Sequence, residues 1–509
     1  MNNNLYALFA ANFPADGASC CIETHDGLQY SWDDIERASA KFANLMHSLQ
    51  LPHQSRVAVQ VEKSPEALIL YLAVIRAGFT YVPLNTAYRD AEVAYFLNDA
   101  QPALVVCSPA HFSWVSKIAF SAGTGHVFTL DERRQGSLLQ RAALQSDQFE
   151  TVDVSQDDLA ALLYTSGTTG RSKGAMLTHQ NLASNAVVLK TFWQWQPDDV
   201  LLHALPLFHI HGMFVACHGA LLNGSKMIFL PKFDSAEVIR HLPRATVFMG
   251  VPTFYVRLLA DPAFGNEVCK TIRLFISGSA PMLIDTFTQF QQRTGATILE
   301  RYGMSETAML TSNPYDGARV GGSVGMPLPG VTLRITNEQG EPCAANEIGA
   351  IQVKGSNVFK GYWRMPEKTA QEFTEDGFFI TGDVGCFDST GYLTIVGRSK
   401  DLIISGGYNI YPKELESFID ELSGVSESAV IGVPHPDFGE AVVAVVVLKK
   451  NAGLTEAELI AAMKAKIANF KVPKRVHFVD ELPRNAMSKV QKNLLRERFS
   501  ALTVKLAAA

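Results

Sequence analysis

Residues 159–179 constrain the fold more than any other stretch. An apolar run, Leu159 to Leu163, reads as a buried strand. It leads into Tyr164-Thr-Ser-Gly-Thr-Thr-Gly-Arg-Ser-Lys-Gly174, after which a helix is predicted to begin near His179. Three glycines, a series of Ser and Thr hydroxyls and two cations, Arg171 and Lys173, fall within eleven residues. Glycines let the backbone turn sharply and bring its N–H groups close to an anion. The hydroxyls add donors and the cations add charge, which together suit a polyphosphate. The loop is not of the Walker A kind, because Gly174 rather than Ser or Thr follows Lys173. A flexible surface loop of the same composition is the alternative.

The chain has 509 residues, enough for more than one domain. A hydrophobic content of 47% and a charged content of 18% are those of a globular protein with a large core. A net charge of -6 argues against nucleic acid or an anionic membrane as partner. The seven cysteines form no CxxC pair, which points to free thiols in a reducing compartment, here taken as cytoplasmic. The start, Met-Asn-Asn-Asn-Leu-Tyr, carries no signal-peptide pattern. The most apolar long window, Leu201 to Leu222, holds four histidines and makes a poor membrane span. The tail Lys505-Leu-Ala-Ala-Ala509 reads as a vector remnant.

Strand and helix patterns alternate along the first 330 residues. Helices are predicted over Trp32–Leu49, Pro65–Ala77 and Asp90–Leu97. Strands are predicted at Arg56–Val61, Thr80–Leu84, Ala103–Cys107, Lys226–Leu230, Ala245–Gly250 and Arg273–Ser277. Such alternation implies parallel, doubly wound sheets. Residues 331–397 change to short, turn-rich strands, and a compact α+β pattern follows. The expected fold class is therefore α/β: a large N-terminal domain of doubly wound sheets with a small β-barrel-like unit (1–397), a hinge at 398–401, and a smaller α+β C-terminal domain (402–504).

Three further motifs sit after predicted strands, where open parallel sheets bind ligands. Ser277-Gly-Ser-Ala-Pro281 is a small-residue turn on which a flat ring can lie. Glu300-Arg-Tyr-Gly-Met-Ser-Glu306 places an acidic group beside a polyphosphate, which makes sense with a Mg²⁺ ion between them. Phe379-Ile-Thr-Gly-Asp383 ends in a carboxylate able to accept bonds from vicinal hydroxyls, although most Gly-Asp turns are only turns.

Together with the 164–174 loop, these motifs resemble those of the adenylate-forming enzymes, the family of acyl-CoA synthetases, luciferases and peptide-synthetase adenylation domains. The resemblance runs from about Tyr30 to Lys492. It implies ATP and coenzyme A as substrates and Mg²⁺ as cofactor. ATP contacts are implied for Thr165, Ser166, Gly167, Thr168, Thr169, Gly170, Lys173, Ser279, Ala280, Glu300, Arg301, Tyr302, Gly303, Ser305, Asp383 and Arg398. Glu306 would take the metal, His209 would stand at the mouth of the acyl site, and Lys400 would be the hinge of a mobile C-terminal domain. Gly406 and Gly407 would line the CoA tunnel. Lys489, in Pro483-Arg-Asn-Ala-Met-Ser-Lys489, would stabilise charge at the α-phosphate during adenylation. Family members usually carry Gly where Ser488 stands. The residues assigned as catalytic are thus Lys489, His209, Thr165 and Glu306.

Two arginines direct the substrate reading. Arg257 and Arg301 fall where the family borders its acyl pocket, and relatives acting on fatty or aromatic acids have an uncharged residue at position 301. A cation buried there calls for an anion, and arginine's planar fork matches a carboxylate. Gly250-Val-Pro-Thr-Phe-Tyr-Val-Arg257 and Thr311-Ser-Asn-Pro-Tyr-Asp316 are similar to the malonyl-CoA synthetase branch. The expected reaction is ligation of malonate to CoA through malonyl-AMP, by a monomer or homodimer. Other readings are ligation of methylmalonate or another short diacid, loading of a carrier protein, or a nucleotide-binding regulator. Ile210, Met282 and Met309 are expected to shape the pocket, and Lys471 and Lys474 are candidates for the CoA 3′-phosphate.

Overall fold

The computed structural model describes residues 2–165, 172–405, 408–435, 439–467, 469–485 and 489–504. The chain divides into two compact units, Met1–Leu333 with Val353–Phe379, and Arg334–Gln352 with Ile380–Ala509. Contact grouping thus gathers 380–397 with the C-terminal part, whereas sequence patterning places the change of unit at 398–401.

The first unit holds two large sheets. One orders its strands His126–Thr129, Leu104–Cys107, Arg56–Gln60, Thr80–Pro83, Leu159–Thr165 and Lys173–Thr178, all parallel except the last pair. The other is nine-stranded, and its middle runs Ile298–Met304, Leu274–Ser277, Val247–Gly250, Val200–His203, Lys226–Phe229 and Cys20–Thr24, again parallel. Parallel strands need both faces covered, and the strand Leu274–Ser277 is accordingly buried along its whole length. Helices supply the cover. Tyr255, Leu258, Phe264 and Phe290 pack on Phe248 and Phe275 to form one core.

Helices begin where capping chemistry dictates. Thr178 accepts the Asn181 N–H, and the Asn181 side chain accepts in return from the Thr178 N–H, so the helix His179–Phe192 starts where expected. Ser64 caps Pro65–Arg76, whose proline stands at the first turn. The turn-rich segment 331–397 does form short strands, at Val331–Thr336, Gly349–Gly355, Phe379–Phe387 and Leu393–Arg398.

In the second unit, Val425–His435 and Gly439–Leu448 form a long antiparallel ladder, extended by Arg475–Phe478 and Ile403–Ser405. Leu415, Ile419, Leu459 and Met463 cover one face of this sheet, while Leu495 and Phe499 cover the other. Among the described residues no helix is long and apolar enough to cross a membrane, and all seven cysteines are free thiols.

Candidate active site

The glycine-rich loop is closed by an antiparallel pair in which Thr165 lies directly opposite Lys173. Ser166, Gly167, Thr168, Thr169 and Gly170 lie outside the described residues. Lys173 is 7% exposed. Its Nζ donates to Glu372 Oε1 at 2.9 Å and stands 4.0 Å from the centre of the Tyr362 ring. Segment 360–363 runs alongside the strand, with Trp363 N–H donating to Gly174 O and Met176 N–H to Gly361 O. Gly361 is required there. Its φ is +126°, and a Cβ would stand 2.6 Å from Thr369 Cγ2.

Glu306, 5% exposed, accepts from the Thr165 hydroxyl at 3.3 Å and from the Tyr362 hydroxyl at 3.1 Å. Tyr362 also reaches Glu372 Oε2 at 2.7 Å. Burial raises the Glu372 pKa, but bonds from Lys173, Lys368 and Tyr362 outweigh it and hold the carboxyl below its ordinary value. Burial and the facing carboxylate of Glu306 push the Tyr362 phenol up, so it remains a donor. A carboxylate flanked by hydroxyls is a hard-oxygen donor set and fits Mg²⁺. Among the described residues no three His, Cys, Asp or Glu side chains converge, so a Mg²⁺ here would need ligands beyond the protein's carboxylates.

The second group lies at the carboxyl ends of neighbouring strands, where Ser277 is in register with Glu300. Ser279, in the turn that follows, has φ +70°. Non-glycine residues hold this conformation at a cost of roughly 1–3 kcal/mol, and it clusters at functional sites. Arg301 is 3% exposed, and its Nε and Nη2 have no partner among the described residues. Burial lowers its pKa to about 9, so it remains a cation at neutral pH. Its guanidinium rests against Gly278. His211 Nδ1 is 3.3 Å from Ser279 Oγ, and its buried Nε2 has no partner among the described residues, nor has Ser277 Oγ. Burial first, then the Arg301 charge, holds His211 well below its usual pKa, so the ring is neutral. His211 begins a π-helical turn, His211–Cys217. That turn is anchored by His203, whose Nε2 lies 2.9 Å from Gly212 O and whose Nδ1 meets Lys63 at 2.6 Å. The His211 N–H points at His209 Nδ1, 3.3 Å away. Ile210, Met282 and Met309 are buried.

Arg257 is not buried as Arg301 is. The helix Pro252–Ala260 buries Pro252, Tyr255 and Leu258, and Arg257 lies off that stripe, exposed. The expectation of two buried arginines is corrected to one.

The other candidates on the same strand act locally. Burial raises the Glu300 pKa to about 7, and its carboxylate accepts the Gly322 N–H at 3.1 Å. Tyr302 and Gly303 form an irregular step in the pairing with Ala308–Ser312. Gly303 is needed because a Cβ would fall 2.0 Å from Ala308 O. Tyr302 and Ser305 are half-buried, and Ala280 is exposed.

In the second unit, Asp383 and Arg398 face each other across an antiparallel pair, with Nε 2.6 Å from Oδ1. The Asp383 backbone N–H also donates to the Thr381 hydroxyl oxygen at 3.1 Å. Lys400 lies in the turn Ser399–Asp401 and is exposed. Lys489 is exposed, its backbone paired with Asn485. Lys471 is paired with Glu414 at 2.6 Å. Gly406 and Gly407 lie outside the described residues.

Sequence reasoning missed Tyr362, Lys368 and Glu372. Glu372 is 199 residues from Lys173, and no local pattern links the two.

Residues 8–363 match the family model described as AMP-binding enzyme, and 414–489 match the AMP-binding enzyme C-terminal domain. The chain is 36% identical over 475 residues to a malonate–CoA ligase of Arabidopsis thaliana, covering 87% of this chain and 78% of the relative. The crystal structure of ATP-bound MatB from Rhodopseudomonas palustris superposes with a TM-score of 0.96 at 54% identity, covering 99% of this chain and 100% of that one. A benzoate CoA ligase from Burkholderia xenovorans superposes at 0.87 with 25% identity, covering 97% of this chain and 100% of that one. Two matched segments, a shared fold and the motifs in place together make this chain a member of the AMP-binding enzyme family.

Proposed function

We propose that the protein ligates malonate to coenzyme A at the expense of ATP, through malonyl-AMP, with release of pyrophosphate and then AMP. The observation that carries the substrate is Arg301: a buried guanidinium with two unmet donor atoms, next to a neutral His211 and the Ser279 hydroxyl. A buried unpaired cation is costly, and an anion that meets it recovers that cost. The far carboxylate of a short diacid meets this need, and a monoacid leaves it unmet. The relatives named for malonate support the same substrate.

In the first half-reaction, Thr165 and Lys173 hold phosphate oxygens, and Asp383 with Arg398 takes the ribose. Glu306 is the side chain that would hold Mg²⁺, an ion that would supply counter-charge to the triphosphate. One malonate oxygen attacks the α-phosphorus, pyrophosphate leaves, and the Lys489 ammonium offsets charge on the reacting oxygens. In the second, the CoA sulfur attacks the acyl carbon and AMP leaves. Lys489 has no part in that step, which is a reason for the C-terminal domain (402–504) to turn about Lys400 and present Gly406 and Gly407 to the thiol.

The test is pyrophosphate release with a panel of malonate, methylmalonate, succinate and acetate, with and without CoA. Malonate is expected to lead. Equal turnover of acetate would remove the diacid reading and leave only an acyl-CoA synthetase.

A further inference from the structure

The triphosphate end of the site contains a buried network with no assigned role. Lys173 is held by the Glu372 carboxylate on one side and the Tyr362 ring on the other. The Tyr362 hydroxyl reaches both Glu372 and Glu306. We propose that Tyr362 and Glu372 are positioning residues for nucleotide binding, aiming Lys173 at the phosphates and tying it to the carboxylate that takes the metal. This rests on the reading above, in which Lys173 and Glu306 meet MgATP.

The geometry supports an aimed cation. An ammonium has three N–H donors on a flexible stem. Glu372 takes one and the Tyr362 ring covers another side, so what remains points in a fixed direction. Pre-ordering removes a rotamer cost from binding. Glu372 does not trap the lysine, because Lys368 also donates to its Oε1 at 2.9 Å from one turn earlier in the chain. That second lysine keeps the Glu372 charge balanced while Lys173 shares its protons with phosphate. The single Tyr362 proton is shared between two carboxylates, 2.7 Å from Glu372 and 3.1 Å from Glu306, so the hydroxyl bridges them. Hydrogen bonds from Lys173, Lys368 and Tyr362 overcome the burial of Glu372 and keep it ionised.

The experiment compares Glu372→Gln, Tyr362→Phe, Lys173→Ala and Glu372→Gln/Lys173→Ala in the full chain. It follows the KM for MgATP and for malonate in pyrophosphate release, and thioester formation from supplied malonyl-AMP. Glu372→Gln is expected to raise the KM for MgATP about 10-fold, the scale of losing a hydrogen bond to a charged group. Malonate KM and the second half-reaction should stay within about 2-fold, the spread of a surface change. Tyr362→Phe keeps the ring and should show a smaller effect of the same kind. The double variant should be no worse than Lys173→Ala, because Glu372 acts through that lysine. An unchanged MgATP KM in Glu372→Gln, additive losses in the double variant, or equal loss in both half-reactions would each overturn the proposal. An unchanged MgATP KM in Lys173→Ala would instead overturn the phosphate-loop reading on which it rests.

Discussion

The guanidinium of Arg301 lies flat against Gly278, so close that a Cβ on that glycine would stand 2.5 Å from Arg301 Cζ. Gly278 follows the strand Leu274–Ser277 and Arg301 lies in the neighbouring strand Ile298–Met304, where Ser277 pairs with Glu300. A turn residue without a side chain thus sets how deep the arginine sits.

Gly278→Ala forces the end of Arg301 to move and leaves its charge intact. A misplacement of about 1 Å can cost about 100-fold in rate. The KM for malonate is expected to rise by about 10-fold or more while that for ATP changes little. Steady-state kinetics with each substrate varied in turn checks this. Equal effects on both substrates would show that the glycine serves the turn and not the arginine.

Arg301→Ala removes the cation itself. Truncating one partner of a buried charged pair costs about 2–5 kcal/mol, which is roughly 30-fold or more in kcat/KM for malonate. The preference for malonate over acetate should collapse with it. A variant that still strongly prefers malonate would move the recognition of the second carboxylate elsewhere.

Lys489→Ala should separate the two half-reactions. Loss of a preorganised charge at a reacting centre costs about 100- to 1000-fold, so pyrophosphate release should fall on that scale. Thioester formation from supplied malonyl-AMP should persist. If both fall together, Lys489 is not confined to adenylation.

Glu300 makes stability depend on pH. Burial raises its pKa from 4.5 to about 7 in the folded chain. The folded state therefore binds more protons than the unfolded state between these values, and stability falls as pH rises through them. The contribution is fully present below about 4.5 and lost above about 7, on the order of 3 kcal/mol in all. Glu300→Gln removes the titration. Its Tm relative to that of the natural chain should rise between pH 5 and pH 8, and a constant difference across that range refutes the assignment.

The alternation of strand and helix, the helix start near His179 and the turns that follow strands were all legible in the sequence, because local periodicity depends on neighbours a few residues apart. The loop at 164–174 and the acidic and aromatic motif at 300–306 could be read for the same reason, as each carries its chemistry in one short segment. What only the tertiary structure decided is which distant residues serve those motifs. Glu372 lies 199 positions from the lysine it holds, and Tyr362 lies 56 from Glu306. Arg257 and Arg301 looked equivalent in sequence, yet one lies outside the buried stripe of its helix and the other is buried in the strand Ile298–Met304. Burial is set by what packs against a residue from elsewhere in the chain, and that information is not local.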